Sequence, residues 1–425
     1  MVSLKRAVET AGLLESAVTI LILLVFSPVN FPEVLNKSVS AMSYLLLPIL
    51  ALCHRRNFLN VLSRDLLHWV LLGLAFVSIL WSVVPDATAL NLRSLSRLTL
   101  FGIYMAARFT PAGQMNLIAY FCGISVFLSV VLTPILPSYG THIVNGVLCW
   151  RGIFSHKNYL AIVMVLSASV FMVKYFFCTR LVRWKRSLYL IFFILSVLLL
   201  LLSRGKSSLS IFMIILVTLP LFKIVRNQYK TKTFLLTAGF FVVLALAVSV
   251  FLNLESIVVG ILGKDLGGNG RDELWSFLIQ RGMERFWLGF GYSGFWSSKY
   301  ESALVAQNTW IKAEVGRGHA HSGFIDLFLS LGMVGSLLML VCFLVTLSRV
   351  LRQLFLNPIP ENFWRLQFLV IMLLSNFSVF ATLLASRSFI WAIYMSIMLS
   401  CSGARSYSRV AAEEPSSRKT VLQGF

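Results

Sequence analysis

GHAHSGFIDLFLSLGMVGSLLMLVCFLVTL, residues 318–347, decides what kind of protein this is. A hydrophilic stretch with two histidines, His319 and His321, runs without a break into an apolar segment long enough for the ~20 residues that a bilayer-spanning helix needs. Much of the chain has the character of that second half. Of its 425 residues 58% are apolar and only 12% charged, with a mean hydropathy of +0.84, where a soluble domain carries about 25% charge. This composition predicts an all-α polytopic membrane protein. Apolar segments centre near Ile20, Leu46, Leu72, Ile103, Val126, Val165, Leu195, Ile214, Val242, Leu337, Ile371 and Met395, which gives about twelve transmembrane helices. The segment at Ile103 is the weakest, because Arg93, Arg97 and Arg108 crowd it. Lys5 and Arg6 precede the first apolar run, which lacks a small-residue cleavage site and reads as a span rather than a removable leader.

Basic residues set the expected orientation. Lys5-Arg6, Arg55, Arg56, Arg64, Arg180, Arg183, Lys185, Arg186, Lys223, Arg226, Lys230, Lys232, Arg349, Arg352, Arg365 and the tail arginines Arg405, Arg409 and Arg418 all fall on one side if the spans number twelve. Both termini are then cytoplasmic. The expected organisation is spans one to nine in residues 1–252, a large outer-loop subdomain in 253–321, spans ten to twelve in 322–403 and a tail in 404–425. The net charge of +21 needs no nucleic acid to explain it, since a membrane chain carries cytoplasmic cations anyway. Cys53, Cys122, Cys149, Cys178, Cys342 and Cys401 have neither metal-ligand nor disulfide-framework spacing, and no metal or cofactor is expected.

The other side receives residues 82–97, 136–157, 203–207 and 253–321, and these are not poor in cations. Arg93, Arg97, Arg151, Lys157, Arg204, Lys206, Arg271, Arg281, Arg285 and Arg317 lie there. Arginine at a hydrocarbon boundary is costly, so the cluster points either to a polyanionic ligand or to side chains snorkelling to lipid headgroups. In the long loop, RDELWSFLIQRGMER (271–285) reads as a short amphipathic helix lying flat on the membrane surface. FWLGFGYSGFW (286–296) reads as an interfacial anchor or as a platform for sugar rings.

In these segments the chain resembles the O-antigen ligase/polymerase superfamily, integral membrane glycosyltransferases of bacterial surface polysaccharides, and most of all its succinoglycan-type exopolysaccharide polymerases. The resemblance runs over roughly residues 80–350 and follows five elements in order. They are Trp81-Ser82-Val83-Val84-Pro85 with residues 100–109; WRGIFSHKNYLA (150–161); Leu202-Ser203-Arg204-Gly205; GRDELW (270–275) with WLGFGYSGFW (287–296); and residues 318–335. Ser322 stands where the superfamily usually has Asn, and Ser330 where its ligases often have Glu.

The resemblance implies a GT-C-like fold with a periplasmic loop in the bacterial inner membrane. It also implies a glycan donor carried on undecaprenyl pyrophosphate and a glycan or lipid A-core acceptor, with a chain-length regulator as a possible partner. An acceptor hydroxyl attacks the anomeric carbon and the lipid pyrophosphate leaves, gaining charge that preorganised cations must stabilise. Arg204 and Arg271 match the pyrophosphate-binding arginines, whose guanidinium forks suit phosphate oxygens. Arg93, Arg97 and Arg151 are weaker candidates for the same phosphates. His321 matches the residue that activates the acceptor; neutral imidazole can take a hydroxyl proton near neutral pH. His319 and Arg317 support it, His156 and Asn158 organise the second outer loop, and Asp326 orients a histidine, binds sugar or pairs with an arginine. The expected function is polymerisation of lipid-linked repeat units. Ligation of a finished glycan is the alternative within this class, and transport of polyanionic lipids the alternative outside it, although a transporter would show internal repeats that this chain lacks.

Overall fold

In the computed structural model the described residues are 2–31, 33–144, 146–178, 181–227, 271–309, 315–316, 318–378, 383–386 and 388–402; the side chains of 1–11, 33–37, 39, 221, 224–227, 271–272 and 378 are not described. The architecture is helical. In chain order the helices are α1 (Val2–Phe26), α2 (Glu33–Cys53), α3 (Arg55–Leu62), α4 (Leu66–Val77), α5 (Pro85–Arg108), α6 (Pro111–Ile135) and α7 (Pro137–Gly140), then α8 (Lys157–Phe177), α9 (Arg183–Leu202), α10 (Lys206–Asn227), α11 (Arg271–Met283), α12 (Gly294–Ser297), α13 (Lys299–Asn308), α14 (Gly323–Leu356), α15 (Pro360–Ser378) and α16 (Phe389–Ser402).

Among the described residues four helices, α6, α8, α9 and α14, are long and apolar enough to cross a membrane. A fifth span is possible if Ser40–Cys53 and Arg55–Leu62, bent by 95°, count as one. Fewer helices pass that test than the twelve expected spans, for a physical reason. Helix α5 carries Asp86, Arg93, Arg97 and Arg108, α15 carries Glu361 and Arg365, and the apolar runs at Leu66–Leu80 and Phe389–Ser402 are short. Eleven of the twelve expected centres nonetheless fall inside helices, and the one at Val242 lies outside the described residues.

Helix α8 is the hub. It is buried along most of its length, whereas α9 beside it is mainly exposed. Helices α5 and α16 cross closely at Gly102, where a Cβ would meet Ala392 O and Met395 Cβ at 2.7 Å. At one end of the bundle a buried polar network ties α4, α14 and α16 together. There the His68 Nδ1–H donates to Asp65 Oδ1 (3.0 Å), Tyr394 donates to His68 Nε2 (2.9 Å), and Arg349 and Ser402 donate to Asp65 Oδ2.

The opposite end adds a short two-stranded hairpin to the otherwise helical fold. Strands β1 (Thr141–Val144) and β2 (Val147–Trp150) pair antiparallel, with Thr141 opposite Trp150 and Val144 opposite Val147. Asn145-Gly146 in the sequence is the tight-turn signal for such a hairpin, and Gly146 has φ +74°. The loop after β2 is stitched to the link between α1 and α2 by Asn30 N–H to Ile153 O (2.8 Å) and Ser155 N–H to Pro28 O (3.0 Å).

Candidate functional site

Residues distant in sequence come together near the hairpin end of the bundle: Val83 on Phe290, His156 near His319, and Gly205 on Ala161 at the start of α8. The aromatic loop organises them. Gly332 interrupts α14 with φ +65° and ψ −164°, and a Cβ there would strike the Trp287 carbonyl at 2.3 Å. The break frees backbone groups that the loop satisfies: Phe290 N–H donates to Leu329 O (2.8 Å) and Met333 N–H to Phe286 O (2.8 Å). The loop in turn grips the segment before α5. Val83 N–H donates to Phe290 O (3.1 Å), Trp81 Nε1–H to Leu288 O (3.0 Å) and Thr88 Oγ1 to Tyr292 O (2.9 Å). Phe290, Phe295 and Trp296 are buried in a second apolar core with Leu274, Leu278 and Leu329. The loop is therefore an internal brace; Trp287, 66% exposed, and its neighbour Leu288 are its large apolar side chains left outward.

Helix α11 differs from the expected surface-lying helix in the same way. Leu274 and Leu278 are buried in the second core, Gly282 abuts Phe328 of α14, and Arg281 pairs with Glu284 and with Glu301 of α13 (2.7 Å to the latter). Once this apolar side is taken up by protein, no membrane is needed to cover it. The helix ends at Met283, short of Arg285.

Trp275 ties α11 to the histidine turn: its Nε1–H donates to the carbonyl of Ala320, between His319 and His321 (2.8 Å). Ala320 is fully buried, and its N–H donates to Asp326 Oδ1 (3.0 Å), which also accepts Trp296 Nε1–H (2.7 Å). Asp326 thus fixes the turn from below. Its Oδ2 is buried and, among the described residues, has no hydrogen-bond partner. His321 sits at φ +53°, a left-handed conformation that costs a non-glycine residue about 1–3 kcal/mol and marks a constrained site. Its ring lies 4.1 Å from that of His319.

A second pair of histidines faces this one. His142 of β1 and His156 have ring centroids 4.9 Å apart. His156 caps α8, its Nδ1 accepting the Asn158 N–H (3.2 Å), and His319 Nδ1 accepts the His321 N–H (3.3 Å) in the same manner. Burial pushes the His156 imidazole down to about 4, and the neighbouring His142, Lys157, His319 and Arg151 push it the same way. His142 is lowered too, first by burial and then by Arg151 and Lys157. Neutral imidazole is the form that Nδ1 acceptance requires, so the cap and the titration agree. Among the described residues no three His, Cys, Asp or Glu side chains converge as a bound ion needs.

Beside the turn is a cavity of about 400 Å³ whose wall includes His319, Asp326, Ser330, Trp296, Tyr159 and Asn91. Ser293 (φ +56°) and Leu384 (φ +51°), both in strained left-handed backbone, complete it. His319, not His321, forms part of the lining. Residues 383–386 and 388–390, which supply a wall, carry no motif and were not legible as part of the site.

The expected cations divide into three groups. Arg204 (φ +53°) is exposed on the turn between α9 and α10, beside Gly205, whose Cβ would meet Ala161 of α8 at 2.7 Å. That contact brings Arg204 to the histidine end of the bundle. Arg271 opens α11, four positions before Trp275, but its side chain lies outside the described residues, as does Arg317. The remaining three have structural partners. Arg97 donates to Ser40 O (3.0 Å) and Ser43 Oγ (3.3 Å) and lies over the Tyr44 ring (4.4 Å). Arg93 lies over the same ring at 5.6 Å. Arg151 donates through Nε to Tyr139 O (2.8 Å) and so holds the hairpin base. Asn158 contributes its backbone N–H to the α8 cap. Arg97 thus packs α5 against α2, and Arg151 closes the hairpin base.

No protein-family model matches the sequence, and neither does any curated protein.

Proposed function

We propose that this chain is a membrane glycosyltransferase that polymerises undecaprenyl-pyrophosphate-linked repeat units, of the O-antigen ligase/polymerase kind that its sequence resembles. In this reading the bundle spans the bacterial inner membrane about twelve times, with residues 253–321 periplasmic. One observation carries the reading. His319 of the histidine turn and Tyr159 of α8 line one cavity, while the Ser-Arg turn packs on α8 at Ala161 and α11 is tied to the histidine turn through Trp275, although sequence separates these segments widely.

In the proposed reaction the oxygen of an acceptor hydroxyl bonds to the anomeric carbon as the carbon–oxygen bond to pyrophosphate breaks. The electron pair of that bond leaves with the pyrophosphate. The hydroxyl proton passes to the imidazole pair His319–His321 and from there to solvent. His319, which lines the cavity, is the first acceptor, and His321, its ring edge-on to that of His319, shares the load. Arg204 and Arg271 balance the charge gained by the leaving diphosphate. Asp326, through its fixed Oδ1, holds the turn, and its Oδ2 accepts a sugar hydroxyl. Ser330, at the position where ligases of the resembled superfamily often have Glu, lines the cavity and favours polymerase over ligase.

Product sizing in a deletion strain tests this directly. Single repeat units left on the surface support a polymerase, whereas full-length chains stranded on the carrier support a ligase. Normal polymer would overturn both. Complementation with Arg271→Lys is expected to fail almost as badly as with Ala, because an ammonium cannot fork across two phosphate oxygens. Full rescue by Lys would reduce the residue to simple charge attraction.

A further inference from the structure

A second cavity, of about 380 Å³, lies on the flank of the bundle between α6, α8 and α9. It is far from the histidines. His156 caps the start of α8 and Lys174 lies in its last turn, so the two are separated by about 27 Å at 1.5 Å per residue. Its floor is aromatic. Phe171 and Phe192 stack at 5.3 Å, and Gly123 leaves the space over them open, since a Cβ there would only touch their ring ends at 3.8 and 4.0 Å. Its rim is apolar and turned outwards: Tyr120, Phe127 and Trp184 are each more than half exposed. From Asn116 to Phe127 along α6 the hollow runs about 16 Å, a length suited to an acyl chain.

Polarity gathers at one end. Asn116 and Lys185 both line the cavity there, at the starts of α6 and α9. Lys174, only 4% exposed, reaches the same place from the end of α8. Its ammonium donates to Asn116 Oδ1 and lies 5.2 Å from the Tyr189 ring, and both partners line the cavity. Among the described residues no carboxylate forms an ion pair with it; Glu361 acts on it only from a distance. A buried cation whose direct partners are neutral is costly unless an anion joins it. Exposed Arg183 and Arg186 add positive charge at the same end.

We infer that this groove seats one anionic glycerophospholipid, its acyl chain along Gly123 and Phe127 and its phosphate between Lys174 and Lys185. The charge at one end and the apolar trough leading from it match the two halves of that molecule. Zwitterionic lipid fits the trough but brings its own cation to the lysines. The site stands apart from the cavity of the proposed reaction and does not depend on that reading.

Purified full-length chain in nanodiscs of phosphatidylcholine, with and without phosphatidylglycerol, tests it by native mass spectrometry of retained lipid. The wild-type chain is expected to retain phosphatidylglycerol preferentially. Lys185→Gln, an exposed change that leaves folding intact, should lower that preference about fivefold, the effect of roughly one lysine near an anionic headgroup. Gly123→Leu, which fills the trough, should abolish retention while leaving both lysines in place. No preference in the wild type would overturn the proposal, as would a preference unchanged by Lys185→Gln. Retention that survives Gly123→Leu would mean headgroup attraction at the annulus alone and would equally overturn a seated lipid.

Discussion

His156 shows how a single side chain is read differently from sequence and from structure. In the sequence it is one histidine of a Gly-x-Phe-x-His-x-Asn element; in the fold it is a helix cap whose Nδ1 must stay unprotonated to accept the Asn158 N–H. Its folded value of about 4 lies below the ordinary 6.5. The unfolded chain therefore binds the proton more readily, so stability is full above about 6.5 and is lost as pH falls through 4. His156→Asn keeps a side chain suited to the cap position and removes the titration. The wild-type Tm should fall between those two pH values, and the variant's Tm should fall less; equal slopes would place the pH sensitivity elsewhere. At this scale the sequence singled out His319, His321 and Asp326, which the fold brings together at one turn. It gave no sign of the packing partners of Arg97 and Arg151. A guanidinium near a membrane boundary looks the same in sequence whether it meets a phosphate or, as here, Ser40 and Tyr139 carbonyls.

Among the elements, α14 and the aromatic loop before it form one unit. Glycines and aromatic rings in 286–296 suggest a surface feature, and a linear reading cannot see that Gly332 opens the helix to receive them. The position needs both φ +65° and the absence of a Cβ, because the Trp287 carbonyl occupies that space. Gly332→Ala is expected to lower stability by at least ~2 kcal/mol, combining backbone strain with a steric clash. A thermal-shift measurement in detergent checks it, and an unchanged Tm would show that the break is not required. Gly73, inside α4 with open space where its Cβ would be, gives the control, since Ala there should hold or raise the Tm. The hairpin of β1 and β2 was equally hidden among helical expectations, though Asn145-Gly146 announced its turn.

Across the whole molecule, the alternation of basic and apolar segments predicts a chain with two ends. Asp65, Arg349 and Ser402 meet at one end, while Val83, His156, Gly205 and His319 are gathered at the other. Span number was harder to read, since α5 carries charges within its length, of which Arg97 and Arg108 are satisfied by Ser40 of α2 and Glu15 of α1. The proposed enzyme places its chemistry at the histidine end. The most direct test is the purified chain in nanodiscs supplied with undecaprenyl-pyrophosphate-linked repeat units as the sole substrate, with products resolved by size. The account predicts a ladder of lengthened glycans from the wild type, a ladder reduced at least a hundredfold, about the share positioned acid–base groups supply, for His319→Ala and His321→Ala, and a weakened one for Asp326→Asn. No ladder from the wild type, or an undiminished one from both histidine variants, would contradict it.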